Sequence, residues 1–132
     1  MNSNKDVAAL VGRVLLAAMF VWAGFGKIAG YAGTAGFMAG AGMPMVGLLL
    51  PMTILLELGG GIALIIGWKA RFVALALAAF TLVATLVFHR FWSMPPDAVM
   101  ANTLFFYKNV GVIGGMLMVF AFGPGRFGID RE

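Results

Sequence analysis

The sequence contains no cysteine and a single histidine. The first absence removes disulfides, thiol redox chemistry and thiolate metal sites together. The two together mean that no pair of histidine axial haem ligands and no iron–sulfur cluster can come from this chain alone, so electrons, if any pass, come from a partner protein. Charge is also scarce, at 11% of residues with a net value of +4. The basic side chains stand singly, most of them at the edges of apolar runs, and form no stripe of the kind that tracks nucleic acid. Anionic lipid headgroups are the simpler partner. No polar or proline-rich linker divides the 132 residues, which predicts one domain over 1–132. What fills the space is hydrophobic: 62% of residues, with a mean hydropathy of +1.00, beyond the range of soluble domains.

A spanning helix needs about 20 mainly apolar residues. Four stretches approach that length, at approximately 7–26, 48–67, 72–88 and 103–122, and predict an all-α bundle of four transmembrane helices. The third stretch is apolar all round, so its period does not say which face is buried. Residues 31–44, rich in Gly and Ala and carrying Phe37, Met38 and Met43, read as a short interfacial or re-entrant segment between the first two spans. The first run is too long for the apolar region of a cleaved signal peptide, so it is expected to remain as a span. The ten methionines are scattered through spans and loops, which suits packing and not a copper site. No metal site is expected.

Lys5, Lys69, Arg71, Arg126 and Arg131 fall at one end of the predicted bundle, and Arg13 can snorkel toward them. Lys27 and Arg90 fall at the other. The asymmetry predicts a multi-pass protein with both termini in the cytoplasm. Trp22, Tyr31, Trp92 and Tyr107 then form an outer aromatic belt, with Trp68 at the inner interface.

The informative residues are polar ones inside apolar runs. Glu57 interrupts the second span, and Lys108 with Asn109 interrupts the fourth. If Pro51 lies in a first helical turn and Asn102 is an N-cap, each charge sits six residues further on, about 9 Å below its helix start. Opposite charges at one depth predict a buried Glu57–Lys108 ion pair, because a lone charge at the bilayer centre costs at least about 2.5 to 3.5 kcal/mol. Lys27 closes the first span and His89 the third. Thr81, Thr85 and His89 recur every four residues as one polar stripe. Together Lys27, Glu57, His89, Lys108 and Asn109 predict a polar pocket near the outer leaflet. Small residues let helices approach closely enough for this: Gly24, Gly26, Gly61 in the run 59–61, Gly67, and Gly111 with Gly115 at GxxxG spacing.

These residues also carry a resemblance. Gly24-Phe25-Gly26-Lys27, the E-x-x-x-G-x-x-L-x-x-G pattern of Glu57, Gly61, Leu64 and Gly67, then His89, Lys108-Asn109, and the ending Phe122-Gly123-Pro124-Gly125-Arg126 together resemble the DoxX family of small four-helix membrane proteins. The resemblance implies a bacterial or archaeal cytoplasmic membrane and a link to quinones, since the family takes its name from a subunit associated with a quinol oxidase and with thiosulfate:quinone oxidoreductase. Related four-helix proteins with thiol chemistry depend on cysteines, which this chain lacks.

Three functions follow from this set. One is a redox-linked subunit, served by a partner subunit, that binds a quinone or quinol headgroup with Lys27, Glu57, His89 and Lys108 supplying hydrogen bonds or protons. Another is a small-solute or proton transporter or channel, for which four short helices leave little room unless copies associate into a homo-oligomer. The last is a structural or assembly subunit in which Glu57 and Lys108 clasp two helices. Each polar residue has a matching plain role: Lys27 as an interfacial anchor, His89 as an interfacial hydrogen bonder, Asn109 and the threonines as bonds between helices.

Overall fold

A computed structural model describes residues 3–130. Its helices are α1 (Ser3–Ala29), α2 (Tyr31–Gly40), α3 (Val46–Ile66), α4 (Ala70–Phe88) and α5 (Pro96–Phe122), with one 3-10 turn at Phe91–Ser93. Of these, α1, α3, α5 and the stretch beginning with α4 are long and apolar enough to cross a membrane, which is the predicted four-helix architecture. The connecting segment becomes α2. Helix starts lie further out than the sequence reading placed them, most of all for α5, which begins at Pro96 with proline in its first turn. Asn102 is therefore not an N-cap: it lies in the second turn, donating to the Ala98 carbonyl at 2.9 Å. Pro51 likewise sits one turn inside α3, which deprives the exposed Gly47 carbonyl of its helical donor at the bundle end.

The spans form a square in the order α1, α3, α4, α5, with α1 packed most extensively on α3 and α4 on α5. Helices α3 and α5 stand on a diagonal, and among the described residues no pair of their Cα atoms lies within 8 Å. Glycine closes the α1–α3 seam. A Cβ on Gly24 would lie 2.6 Å from the Leu58 side chain, and one on Gly61 would lie 2.7 Å from that of Val21. Gly115 meets Leu16 of α1 in the same way, at 3.0 Å. Gly26 and Gly111 do not lie in a seam: a Cβ added at either would meet no neighbouring atom within 4 Å. Gly26 is two residues, and so about 200°, around the helix from Gly24, and α1 touches α5 far less than it touches α3. The buried face of α4 is made of small residues, Ala70, Ala74, Ala78, Thr81 and Thr85 around Leu77, whereas Phe72, Leu82 and Val83 are exposed. Membrane helices associate through small side chains because large apolar ones gain nothing over lipid.

The end of the bundle that carries the α3–α4 turn, here called the lower end, is sealed by the chain's own tail. Helix α3 stops in a Schellman turn with Gly67 at φ 74°: Gly67 N–H donates to the Leu64 carbonyl and Trp68 N–H to that of Ala63. The next three carbonyls are taken in turn. Arg13 donates to Ile65 at 3.2 Å, Ile129 N–H to Ile66, and Asp130 N–H to Gly67. Gly67 has no room for a side chain, since a Cβ there would sit 2.5 Å from the Gly128 Cα, and one on Gly128 would crowd the Pro124 ring at 3.1 Å. Arg13 also donates to the carbonyls of Pro124 and of Phe127, at 2.6 Å. It is 1% exposed, so it does not snorkel to the interface: it is held within the lower end as the clamp between α1, α3 and the tail. The Asp130 carboxylate accepts from Lys69 N–H at the start of α4, at 2.6 Å. Arg131, counted in the charge asymmetry, lies outside the described residues.

Candidate functional site

At the opposite, upper end the helices part around a cavity of about 330 Å³. All five residues expected to gather there, Lys27, Glu57, His89, Lys108 and Asn109, line it. They come from α1, α3, the end of α4 and α5, so the site exists only when all four spans assemble. Its walls are apolar, with Phe20, Phe80 and Val112 toward the core, and α2 brings Thr34, Phe37 and Met38 over it. Phe37 of α2 stacks on Phe88 of α4 with ring centroids 5.4 Å apart, which draws α2 across the opening. Below the cavity, Ala17, Leu64, Leu77 and Met116 are buried in one apolar core.

The ion pair differs from the expected one. Glu57 pairs with Lys27, Nζ to Oε1 at 2.7 Å, and not with Lys108. Equal depth was a poor guide, because Glu57 and Lys108 are on the diagonal helices, whereas α1 packs directly on α3. The seam that brings Gly24 against Leu58 also brings Lys27, one turn further up α1, to the carboxylate. Glu57 is 4% exposed and the Lys27 side chain 27%, so the pair reaches from the apolar interior to the cavity mouth. Lys108 borders the cavity with its ammonium 5.8 Å from the centroid of the Phe105 ring, a cation–π contact on an exposed stretch of α5.

The α4–α5 wall is a chain of hydrogen bonds. Thr81 and Thr85 each donate to the carbonyl four residues back, Leu77 and Thr81, at 2.7 and 2.6 Å, a bond that spares a buried hydroxyl any unmet need. Asn109 Nδ2 donates to Thr85 Oγ1 at 2.9 Å. Thr81 and His89 reach the cavity as the polar stripe predicted, while Thr85 lies behind it, fixing Asn109. His89 Nδ1 lies 3.0 Å from Asn102 Oδ1, and its ring tilts against Phe105 with centroids 5.1 Å apart. Sequence reasoning missed Asn102 by treating it as a cap. Its spacing of seven from Asn109 places both on one face of α5, and that spacing was the available signal.

The DoxX family model matches residues 8–90, the stretch that runs from α1 to the end of α4. The chain belongs to the DoxX family. It is similar to inner membrane protein YqjF of Escherichia coli (strain K12), 44% identical over 99% of this chain and 95% of that protein. It is also similar to inner membrane protein YphA of the same organism, 32% identical over 99% and 94%. A Surfeit locus protein 4 homolog of Schizosaccharomyces pombe is 28% identical over 99% of this chain but 39% of its own length. No solved structure matches. As a DoxX protein the chain is an integral membrane protein, and its bacterial relatives are inner membrane proteins. Within the motif that carried the resemblance, Lys27 and Glu57 are the ion pair, Gly61 and Gly67 are close-packing positions, and the 122–126 ending supplies the Pro124 carbonyl that Arg13 grips.

Proposed function

We propose that this DoxX protein is a membrane subunit that binds the headgroup of a quinone or quinol in the upper cavity, with electrons supplied or removed by a partner protein. The observation that carries the reading is the convergence of four polar groups of three chemistries on one apolar-walled space. Lys27 and Lys108 bring donors, and His89 and Asn109 can accept. A pocket of a few hundred Å³ with apolar walls and a few placed polar groups is the usual form of a small-ligand site. The headgroup would bring two-electron, two-proton chemistry, and the protein's part is to orient the ring and exclude water around it.

A conduit for solute or protons is less well supported, because the apolar core and the Arg13 clamp fill the lower half. A helix-clasp role finds its support in the Lys27–Glu57 contact, which is satisfied without a ligand. The test is gentle purification followed by mass spectrometry of co-extracted lipids. A quinol, recovered as such or as the quinone it oxidises to, should be retained by the parent and be at least about tenfold less abundant in His89→Ala, one lost hydrogen bond's worth, with little change in thermal stability. A parent that retains none, or a variant that retains as much, would sink the reading and leave the clasp.

The orientation that the charge asymmetry supports puts the lower end, with Lys5, Lys69, Arg71 and Arg126, in the cytoplasm and the cavity on the outer side. A reporter fused to the C-terminus should be active only in the cytoplasm, and activity outside would reverse the assignment.

A further inference from the structure

The cavity residues differ in whether they can give or take a hydrogen bond, and their neighbours decide which. Asn102 Nδ2 donates to the Ala98 carbonyl at 2.9 Å. A carbonyl only accepts, so the amide nitrogen must face it, and the amide oxygen is thereby turned to the imidazole. That oxygen is 3.0 Å from His89 Nδ1 and also only accepts. A neutral His89 must therefore carry its proton on Nδ1, which leaves the lone pair on Nε2. The Phe105 ring at 5.1 Å restrains the imidazole plane, and among the described residues no side chain or carbonyl bonds to Nε2. Asn109 is fixed in the same manner: its Nδ2 is engaged by Thr85 Oγ1, and its Oδ1 remains to accept. The α4–α5 wall thus offers acceptors, whereas Lys27 and Lys108 offer donors.

We infer that Asn102 is a positioning residue that holds His89 as the Nδ1–H form, so that Nε2 accepts a hydrogen bond from a hydroxyl of the bound headgroup. The inference rests on the quinone-site reading and narrows it. A quinone carbonyl can only accept and gains nothing from Nε2, whereas a quinol or other phenolic hydroxyl donates to it. The site selects the hydroxylated form of the ring. A polar group left without its partner in such a site discriminates strongly against the ligand that lacks the complementary atom.

Because the chain has one histidine, the tautomer can be read without assignment. Protein labelled with ¹⁵N-histidine, carrying a tag free of histidine and held in lipid nanodiscs at about pH 8.5, where imidazole is ordinarily neutral, should give one protonated and one bare ring nitrogen. The protonated one should be Nδ1. Asn102→Leu should move the proton wholly or partly to Nε2, and Asn102→Asp, which keeps an accepting oxygen, should hold the parent form. In parallel, a decyl-tailed benzoquinol, its benzoquinone and the quinol dimethyl ether are titrated by quenching of tryptophan fluorescence. The quinol should bind about tenfold more tightly than either other probe, and Asn102→Leu should erase most of that preference. An Nε2–H ring or an even mixture in the parent overturns the proposal, whatever binds. Equal binding of the three probes overturns the selection for a hydroxyl. If none binds while the ring is Nδ1–H, the quinone-site reading fails, and the control of His89 by Asn102 stands by the spectrum.

Discussion

The two ends of the bundle solve the same problem in opposite ways. Each holds a basic residue of α1 inside an apolar protein: Arg13 at the lower end and Lys27 at the upper. Among the described residues Arg13 has no carboxylate beside it, and its two terminal nitrogens donate to three backbone carbonyls from α3 and the tail. Lys27 has one carboxylate, Glu57, and beyond it an open space. A planar guanidinium can spread its donors over several carbonyls, which an ammonium cannot do in the same rigid way. The lower end is consequently closed by its own chain, while the upper end keeps polar groups with capacity left over. The difference separates a structural charge from a candidate binding charge, although both look alike as single basic residues in one hydrophobic run.

Breaking the lower end should cost most. Arg13→Met removes three charge-assisted bonds, each worth about 1.5 to 3 kcal/mol, and leaves the Pro124 carbonyl unmet in a buried place and those of Ile65 and Phe127 in part-buried ones. Thermal unfolding in detergent should show a loss of about 4 kcal/mol, with the tail becoming protease-sensitive. A loss below about 1 kcal/mol would mean that the tail is held by other contacts.

At the upper end the expected effect is smaller because Lys27 reaches the cavity mouth. Glu57→Gln and Lys27→Met should each destabilise by about 1 to 3 kcal/mol, and the double variant should recover part of that, giving a coupling of about 1 to 2 kcal/mol. The Glu57→Gln with Lys108→Met cycle should be additive within about 0.5 kcal/mol. Strong coupling in the second cycle would restore the diagonal pair.

The smallest effects belong to the glycines outside the seams. Gly61→Val should lose about 1 to 3 kcal/mol through overpacking against Val21, whereas Gly26→Ala and Gly111→Ala should change stability by less than about 0.5 kcal/mol. Equal effects at Gly61 and Gly111 would show that α5 packs on α1 further up than the described contacts.

What the sequence by itself determined is the class of fold and the gathering of five polar residues around one cavity. Long apolar runs must be satisfied internally in lipid, so helices were the available spanning form, and the cost of a lone intramembrane charge marked Glu57, Lys27, His89, Lys108 and Asn109 as residues that had to find polar company. Their gathering around one cavity is legible for that reason. The pairing within the cavity is not. Depth along a helix follows from residue counts, but which helices are neighbours and which are diagonal depends on how small residues let backbones approach, as Gly24 and Gly61 do between α1 and α3. Lys27, and not Lys108, therefore meets Glu57. The role of Arg13 was hidden for a related reason, since its partners are carbonyls more than 50 positions away, and every residue type has a carbonyl. Asn102 was within reach of pattern reading through its spacing from Asn109, but the direction of its amide is set by the Ala98 carbonyl and by the turn that brings His89 alongside. Backbone acceptors carry no sequence signature, so only the tertiary structure could decide which polar groups are already spent and which remain for a ligand.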